Sequence, residues 1–263
     1  LATGRYALRD GLGHRFRRPA VHFTRTIPLT PMSHHYLRFE QVTYRYPDGH
    51  EALHDVSFEL KHGEKAAVVG ANGAGKSTLL LHTDGLLLPT SGRVVVGGVP
   101  VTRRTLPTIR RTVGYLFQQP DDQLFMPTVG EDIAFGPANM ALDDAEIERR
   151  VVNALEAVGA LELRDHSPAH LSGGQKKRVA IATILAMEPS ILVMDEPTAA
   201  LDPQARRQLI ELIRIFDHTT LIATHDLELV HELCPRTLLL HDGRLVADGP
   251  TSDVIATPLY RCR

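Results

Sequence analysis

The segment that most constrains this chain is residues 70–78, Gly-Ala-Asn-Gly-Ala-Gly-Lys-Ser-Thr, which fits the pattern G-x-x-x-x-G-K-[S/T]. Its glycines allow the backbone to curve closely around a polyphosphate, with successive N–H groups pointing inward as an anion-binding nest. A helix that begins near Gly75 adds the positive end of its dipole. Lys76 supplies a positive charge for the outer phosphates, and the Ser77 hydroxyl can ligate Mg²⁺. The segment therefore predicts a phosphate-binding loop.

The context of this loop favours nucleotide binding over a chance match in a glycine-rich turn. Residues 65–69 form an apolar run typical of a buried strand, and residues 77–81 continue as a helix. The predicted nucleotide-binding residues of the loop are Gly70, Asn72, Gly73, Ala74, Gly75, Lys76, Ser77 and Thr78.

A second apolar run, residues 191–194, ends in two carboxylates, Asp195 and Glu196. A carboxylate at a strand end beside the phosphate loop can hold Mg²⁺ through water, which is the role predicted for Asp195. Glu196 can polarise a water molecule for attack on a γ-phosphate. By itself the pair could equally mark an ordinary strand end, and the phosphate loop upstream favours the catalytic interpretation.

The chain as a whole predicts an α/β fold with a mainly parallel sheet, because strands alternate with helices along most of its length. The first strands are expected to form an antiparallel β edge, and residues 120–180 a helical insert. Predicted strands cover residues 37–44, 52–60, 65–69, 93–96, 113–117, 191–194 and 220–223, and predicted helices cover residues 132–135, 144–158, 173–187 and 203–216.

Residues 1–31 differ from the rest, with six arginines, one aspartate and no sustained periodicity. We expect a disordered tail or a misassigned start upstream of Met32, and a transit peptide or membrane-surface arm is the alternative. The whole chain has a formal net charge of −2, so the part after these residues carries −7. That acidic body argues against nucleic acid as a partner.

Residues 171–175 read Leu-Ser-Gly-Gly-Gln and begin a helix, which gives a second helix N-terminus suited to phosphate. One chain has one phosphate loop, so two such ends in one domain suggest a site shared across a dimer. A plain helix cap by Ser172 is the structural alternative. This pentapeptide, placed between a phosphate loop and an Asp-Glu-Pro strand end, resembles the ATP-binding-cassette (ABC) ATPases over residues 36–256.

The resemblance implies a P-loop NTPase fold of the ABC type for residues 34–260, with a RecA-like sheet, an antiparallel β edge subdomain and an α-helical insert subdomain. It implies that Tyr46 stacks on adenine and that His225 senses the γ-phosphate. Gln118 would contact Mg²⁺ and the attacking water. Residues 199–202 resemble the loop that meets the opposite subunit, with Ala199 where Ser is usual and with Asp202 as the communicating carboxylate.

The resemblance further implies a head-to-tail dimer with a second ABC ATPase subunit, identical or paralogous, and with ATP and Mg²⁺ as cofactors. Each ATP would lie between the Lys76 loop of one subunit and the Ser172 segment of the other. The implied catalytic residues are Glu196, His225 and Gln118, the implied Mg²⁺ ligands are Ser77, Gln118 and Asp195, and the residues implied to face the partner's ATP are Ser172, Gly173, Gly174, Gln175 and Asp202.

Three further segments are similar to the ATPases of energy-coupling-factor importers: residues 118–125, residues 128–137 and residues 79–85. The last is most similar to the cobalt-uptake type, although Thr83-Asp84 stands where that type usually has Asn before Gly. The resemblance implies a peripheral motor at the cytoplasmic face of the cell membrane, with integral-membrane transport components as partners. Leu124 and Phe125 are expected at the docking surface.

Two function classes remain open from the residues. The first is the ATP-hydrolysing motor of an importer for cobalt, or for nickel or a vitamin. The second is a regulatory or repair cassette protein without a membrane partner. The substrate is not encoded here, because the motor of such an importer does not touch it.

Overall fold

The computed structural model describes residues 36–216 and 218–257, so the expectations for residues 1–31 lie outside the described part. The described strands, in chain order, are β1 (Leu37–Arg45), β2 (Glu51–Leu60), β3 (Lys65–Val69), β4 (Ser91–Val96), β5 (Val99–Pro100), β6 (Val113–Leu116), β7 (Ile191–Asp195), β8 (Thr219–Ala223), β9 (Arg236–His241) and β10 (Arg244–Pro250). The described helices are α1 (Lys76–Leu81), α2 (Leu106–Thr112), α3 (Val129–Asn139), α4 (Asp144–Ala157), α5 (Gly173–Leu185), α6 (Pro203–Ile215), α7 (Leu227–Leu233) and α8 (Thr251–Ala256).

These strands form two sheets. The first has the order β2-β1-β4-β5 and is antiparallel. The second has the order β10-β9-β3-β8-β7-β6, in which β9 to β6 are parallel and β10 pairs antiparallel with β9. The predicted fold class, a mainly parallel sheet with an antiparallel β sheet beside it, is confirmed.

The six-stranded sheet is covered by apolar residues on both faces, as expected for parallel strands. Along β3, Ala66 and Val68 belong to one buried cluster, which also contains residues of the antiparallel sheet and α1. Ala67 and Val69 belong to the other, which contains residues of helices α3 to α7. The alternation follows from the period of two along a strand. Its consequence is that β3 is fixed at the centre of the fold, with its carboxyl end leading into the phosphate loop.

The carboxyl ends of the central strands meet at one edge of the sheet. In register, Asp195 of β7 pairs with Ala223 of β8, and Ala223 pairs with Val68 of β3. The next residues are also joined, since Glu196 N–H donates to Ala223 O (2.8 Å) and Thr224 N–H donates to Val68 O (3.2 Å). Segments far apart in the sequence therefore contribute to one edge, where ligands of open α/β sheets bind.

Three helices depart most from the prediction. Helix α3 begins at Val129 rather than at residue 132, because Thr128 and Glu131 form a reciprocal capping box at its start. The prediction was also wrong in omitting α2 and α8, each short and with only one or two buried residues, Ile109 in α2 and Thr251 and Val254 in α8. Such short elements show too few turns for a clear helical period. Within the described residues, no helix is long and apolar enough to cross a membrane.

Candidate nucleotide-binding site

The loop between β3 and α1 has a backbone that only glycine allows at its two ends. Gly75 has φ +100°, and a Cβ there would lie 2.7 Å from the carbonyl oxygen of Ala52. At Gly70 a Cβ would lie 2.2 Å from the carbonyl oxygen of Leu240. Both contacts are closer than real Cβ atoms approach, so these glycines are required by the packing of the loop against its own chain.

Lys76 lies over this loop. Its Nζ donates to the carbonyl oxygens of Gly70 (2.9 Å) and Ala71 (3.1 Å), and the residue is 8% exposed. The Tyr46 and Thr78 hydroxyls are 3.0 Å apart. The ammonium group is thus held where a phosphate bound by the loop would meet it.

A cleft of about 430 Å³ opens beside the loop and brings together most of the predicted site residues. It is lined by Tyr46, His50, Ala52, Asn72, Gly73, Gly75, Lys76, Ser77, Thr78, Gln118, Asp195 and Glu196. Gly70 and Ala74, which were also predicted, are buried and do not line the cleft. His50 and Ala52 were not predicted. They follow the Tyr46 turn, and His50 stacks on Tyr46 with ring centroids 6.4 Å apart.

Asp195 is the last residue of β7 and is 4% exposed. Burial raises the pKa of its carboxyl group, while the hydrogen bond from Ser77 and the charge of Lys76 act in the opposite direction. The Ser77 hydroxyl and the Asp195 carboxylate are therefore in direct contact at the edge of the cleft. Such hard oxygen donors are the kind that Mg²⁺ prefers.

Glu196 turns away from the strand direction with φ +46°, a left-handed conformation that is rare for a residue with a side chain. Its carboxylate is 9% exposed and is held by the end of β8. Thr224 Oγ1 donates to Oε2 (3.0 Å), and His225 Nδ1 lies 2.9 Å from Oε1. The structure thus pairs the two residues that were predicted as catalytic base and γ-phosphate sensor.

Comparison with known proteins agrees with this geometry. The profile of the ABC transporter family matches residues 53–199. A putative ABC transporter ATP-binding protein of Geobacter sulfurreducens is 58% identical, over 88% of this chain and 94% of that protein. The chain belongs to the ABC transporter family.

More specific similarities lie within this family. The energy-coupling factor transporter ATP-binding protein EcfA1 of Methanospirillum hungatei is 46% identical, over 85% of this ABC ATPase and 82% of that protein. The solved structure of cbiO1 from Clostridium perfringens, part of the ABC transporter complex cbiONQ, is 40% identical with a TM-score of 0.74, over 86% of this chain and 93% of that one. A dimeric ATP-binding cassette bound to ADP and Pi in a post-hydrolysis state is 29% identical with a TM-score of 0.75, over 82% of this chain and 98% of that one. The resemblance to the energy-coupling-factor and cobalt-uptake ATPases is confirmed.

The second predicted phosphate-seeking segment of this ABC ATPase lies outside the cleft. Ser172 caps α5 in a reciprocal capping box with Gln175: Ser172 Oγ accepts from Gln175 N–H (3.3 Å), and Gln175 Oε1 accepts from Ser172 N–H (2.8 Å). The structural alternative, a helix cap, is therefore present. It does not explain the two glycines, because a Cβ at Gly173 or Gly174 would meet nothing within 4 Å and neither has positive φ.

Asp202 also acts as a cap within its own chain. Its Oδ1 accepts from the backbone N–H groups of Gln204 (2.9 Å) and Ala205 (3.0 Å) at the start of α6. These hydrogen bonds lower the pKa of the Asp202 carboxyl group. The described chain does not place Asp202 in the cleft, and its predicted contact with a second subunit stays a prediction.

Proposed function

We propose that this chain is the ATP-hydrolysing motor subunit of an energy-coupling-factor importer, working as a head-to-tail dimer that encloses two ATP molecules. The observation that carries the proposal is the convergence in one cleft of the Lys76 loop, Gln118, Asp195 and Glu196, with Glu196 Oε1 2.9 Å from His225 Nδ1. This is the set of groups that phosphoryl transfer needs.

In the proposed reaction the loop N–H groups and Lys76 bind the phosphates, and the aromatic rings of Tyr46 and His50, which also line the cleft, stack against the adenine. The hard oxygen donors Ser77 and Asp195, with Gln118 beside them, fit Mg²⁺, which when bound neutralises phosphate charge. Glu196 polarises the attacking water, and Thr224 and His225 hold its carboxylate in place. Catalysis is then mainly positioning and electrostatic stabilisation.

The dimer is supported by the open surroundings of Gly173 and Gly174. Glycine is less favourable in a helix than alanine, and the described residues show no packing reason for glycine at positions 173 and 174. Their absent side chains leave the start of α5 accessible to a group from outside. We propose that this group is the ATP held by the Lys76 loop of the partner subunit.

The proposed membrane partner docks on a groove of about 550 Å³, whose lining includes Phe117, Phe125 and Phe135. Phe125 and Phe135 are 64% and 46% exposed and meet edge to face, with ring centroids 5.0 Å apart. Asp132 holds this arrangement by accepting the backbone N–H of Phe125 (3.0 Å). Leu124, predicted to share this surface, is instead 8% exposed and packs in the core.

The occupant proposed for the groove is a short apolar segment of the integral-membrane subunit, because exposed aromatic side chains favour apolar partners. The groove is continuous with the strand end that carries Gln118, since Phe117 lines it. Docking there would place the membrane subunit one residue from the catalytic cleft. This arrangement favours a transporter motor at the cytoplasmic face of the cell membrane over a cassette protein without a membrane partner.

Cobalt is the cargo proposed first, on the similarity of residues 79–85 to the cobalt-uptake type. Nickel and a vitamin are the alternatives. Uptake of cobalt, nickel and vitamins, measured in a strain lacking this chain, distinguishes them. Fractionation after co-expression with the membrane components distinguishes a motor, which pellets with membranes, from a cassette protein that does not.

The decisive test of the motor assignment is Glu196→Gln, which removes the base but keeps the shape of the side chain. ATP binding and ATP-dependent dimerisation should persist, and the rate of phosphate release should fall by about 10²-fold or more. Glu162→Gln, at an exposed glutamate outside the cleft, is the matched control. Normal turnover of the Glu196→Gln variant would remove Glu196 from its assigned role.

A further inference from the structure

Lys177 is an unusual member of the protein core. It lies on α5, is 1% exposed, and ranks among the largest fully buried side chains of the described chain. Burying an ammonium group is costly unless it is hydrogen-bonded, and here Nζ donates to the carbonyl oxygens of Phe117 (3.1 Å) and Gln118 (3.0 Å). Burial lowers the pKa of Lys177 to about 8, while the charges of Asp195 and Glu196 oppose this shift.

The two carbonyl groups belong to the peptide planes on either side of the Gln118 Cα atom. A peptide unit is planar, so an anchor on each of two successive carbonyls restricts both dihedral angles of the residue between them. These angles set the direction in which the Gln118 side chain leaves the backbone. A single ammonium group therefore fixes how Gln118 is presented to the cleft that it lines.

Helix α5 makes further contacts with the segment that follows β6, residues 117–123. Gln123 Nε2 donates to Ala180 O and Thr183 Oγ1 of α5, both at 2.7 Å, and its Oε1 accepts from Phe117 N–H (3.4 Å). A third link, Lys176 Nζ to Asp121 Oδ1 (2.5 Å), involves an aspartate side chain that is 70% exposed. Exposed pairs of this kind contribute little, so the buried contacts carry the connection.

We propose that Lys177 is a positioning residue that ties Gln118 to helix α5 and so makes the placement of Gln118 follow that of the Ser172–Gln175 segment at the start of the same helix. Under the proposed function, on which this inference rests, that segment binds the partner's ATP. A shift of α5 on binding at the dimer interface would then reach the Gln118 side chain through Lys177, with only four residues between Ser172 and Lys177.

The test is a kinetic double-mutant cycle in the full-length protein, with ATP as the probe. Lys177→Met keeps an unbranched side chain of similar length but removes the donors and the charge. Its kcat for ATP hydrolysis should fall by about tenfold or more, because the two charge-assisted hydrogen bonds to the carbonyl oxygens of Phe117 and Gln118 are lost. KM and the ATP dissociation constant should stay within about threefold, since the phosphate loop is untouched. Lys176→Met, at the adjacent lysine, is the matched control and should keep its kcat.

The cycle separates positioning from a general effect on the fold. If Lys177 acts through Gln118, the Lys177→Met/Gln118→Ala double variant should be no slower than Gln118→Ala alone. Losses that multiply, an unchanged kcat for Lys177→Met, or an equal loss for Lys176→Met would each overturn the proposal. Thermal melting checks folding, and Lys177→Gln replaces Lys177→Met in the same cycle if the latter does not fold. Normal turnover of Glu196→Gln would contradict the proposed function instead.

Discussion

Acid sensitivity provides a quantitative test of the packing behind the phosphate loop. His82 follows α1 and is 0% exposed, with Nδ1 2.7 Å from the carbonyl oxygen of Thr78. A carbonyl can only accept, so the proton of the neutral ring is on Nδ1, and among residues 36–216 and 218–257 Nε2 has no hydrogen-bond partner. A second proton on Nε2 would create a buried charge with no acceptor. Burial accordingly lowers the pKa of His82 from 6.5 to about 4.

The sign of the effect follows from which state binds the proton more tightly. The unfolded chain takes up a proton on this histidine near pH 6.5, and the folded chain does so only near pH 4, so acidification in this window favours unfolding. At 1.36 kcal/mol per pKa unit, His82 should lower the free energy of unfolding by about 2 kcal/mol between pH 7 and pH 5.

Asp84, two residues on, has the opposite effect. Burial raises the pKa of its carboxyl group from 3.8 to about 6, so the folded chain binds that proton first and gains about 1.3 kcal/mol over the same pH range. The two groups partly cancel in the native protein. Single variants are therefore needed to separate them.

The assay is urea denaturation at pH 7, 6 and 5 for the native chain, His82→Gln and Asp84→Asn. Relative to the native chain, the free energy of unfolding of His82→Gln should rise by about 2 kcal/mol as the pH falls from 7 to 5, and that of Asp84→Asn should fall by about 1.3 kcal/mol. Only the change with pH is compared, so any fixed cost of the substitution is removed. Parallel pH curves for the native chain and His82→Gln would refute the reasoning.

Three further outcomes test the site and its surfaces. Phe125→Ser combined with Phe135→Ser should abolish co-purification with the integral-membrane subunit while ATP binding is kept, with Leu161→Ser as the exposed control outside the groove. Gly75→Ala should lose ATP binding and lower the melting temperature, because its Cβ would lie 2.7 Å from a backbone oxygen at φ +100°. Gly174→Ala should melt at the same or a higher temperature, since its Cβ meets open space, yet lose ATPase activity; full activity would contradict the dimer interface.

The phosphate loop and the Asp195-Glu196 pair were predictable because each lies at the end of an apolar run that forms a buried parallel strand, whereas Tyr46 and Gln118 were implied by the family resemblance. Asp195 is the last residue of β7 and His225 lies two residues after β8, and sheet geometry brings such ends together. Lys177 was missed because lysine near a helix start is normally solvated. A signal was present, since residues 177, 181 and 184 share one face of α5 and Ile181 and Ile184 are buried. His50 carried no signal beyond its place in the turn after Tyr46.

Partner contacts could not be derived in the same way, because they depend on groups that are not in this chain. Ser172 and Asp202 each complete a helix cap within the monomer, so intrachain hydrogen bonding alone accounts for both residue types. Gly173 and Gly174 differ, because no contact within the described part of the chain requires a glycine at either position. A residue whose presence its own fold does not explain is the clearest local indication of an external contact.

The convergence of strand ends at one edge of the sheet couples nucleotide binding to the stability of the folded chain. The cleft needs residue 76, residue 118 and residues 195–196, which the register brings together only when β3, β6, β7 and β8 are all paired. A partly folded chain therefore has no complete cleft, so a nucleotide that needs all of these groups would bind the native state alone. Ligand at 100 times its dissociation constant adds about 2.7 kcal/mol to the free energy of unfolding. Under the proposed function, ATP would therefore stabilise the folded chain as well as drive transport, and depletion of ATP would remove part of that stabilisation.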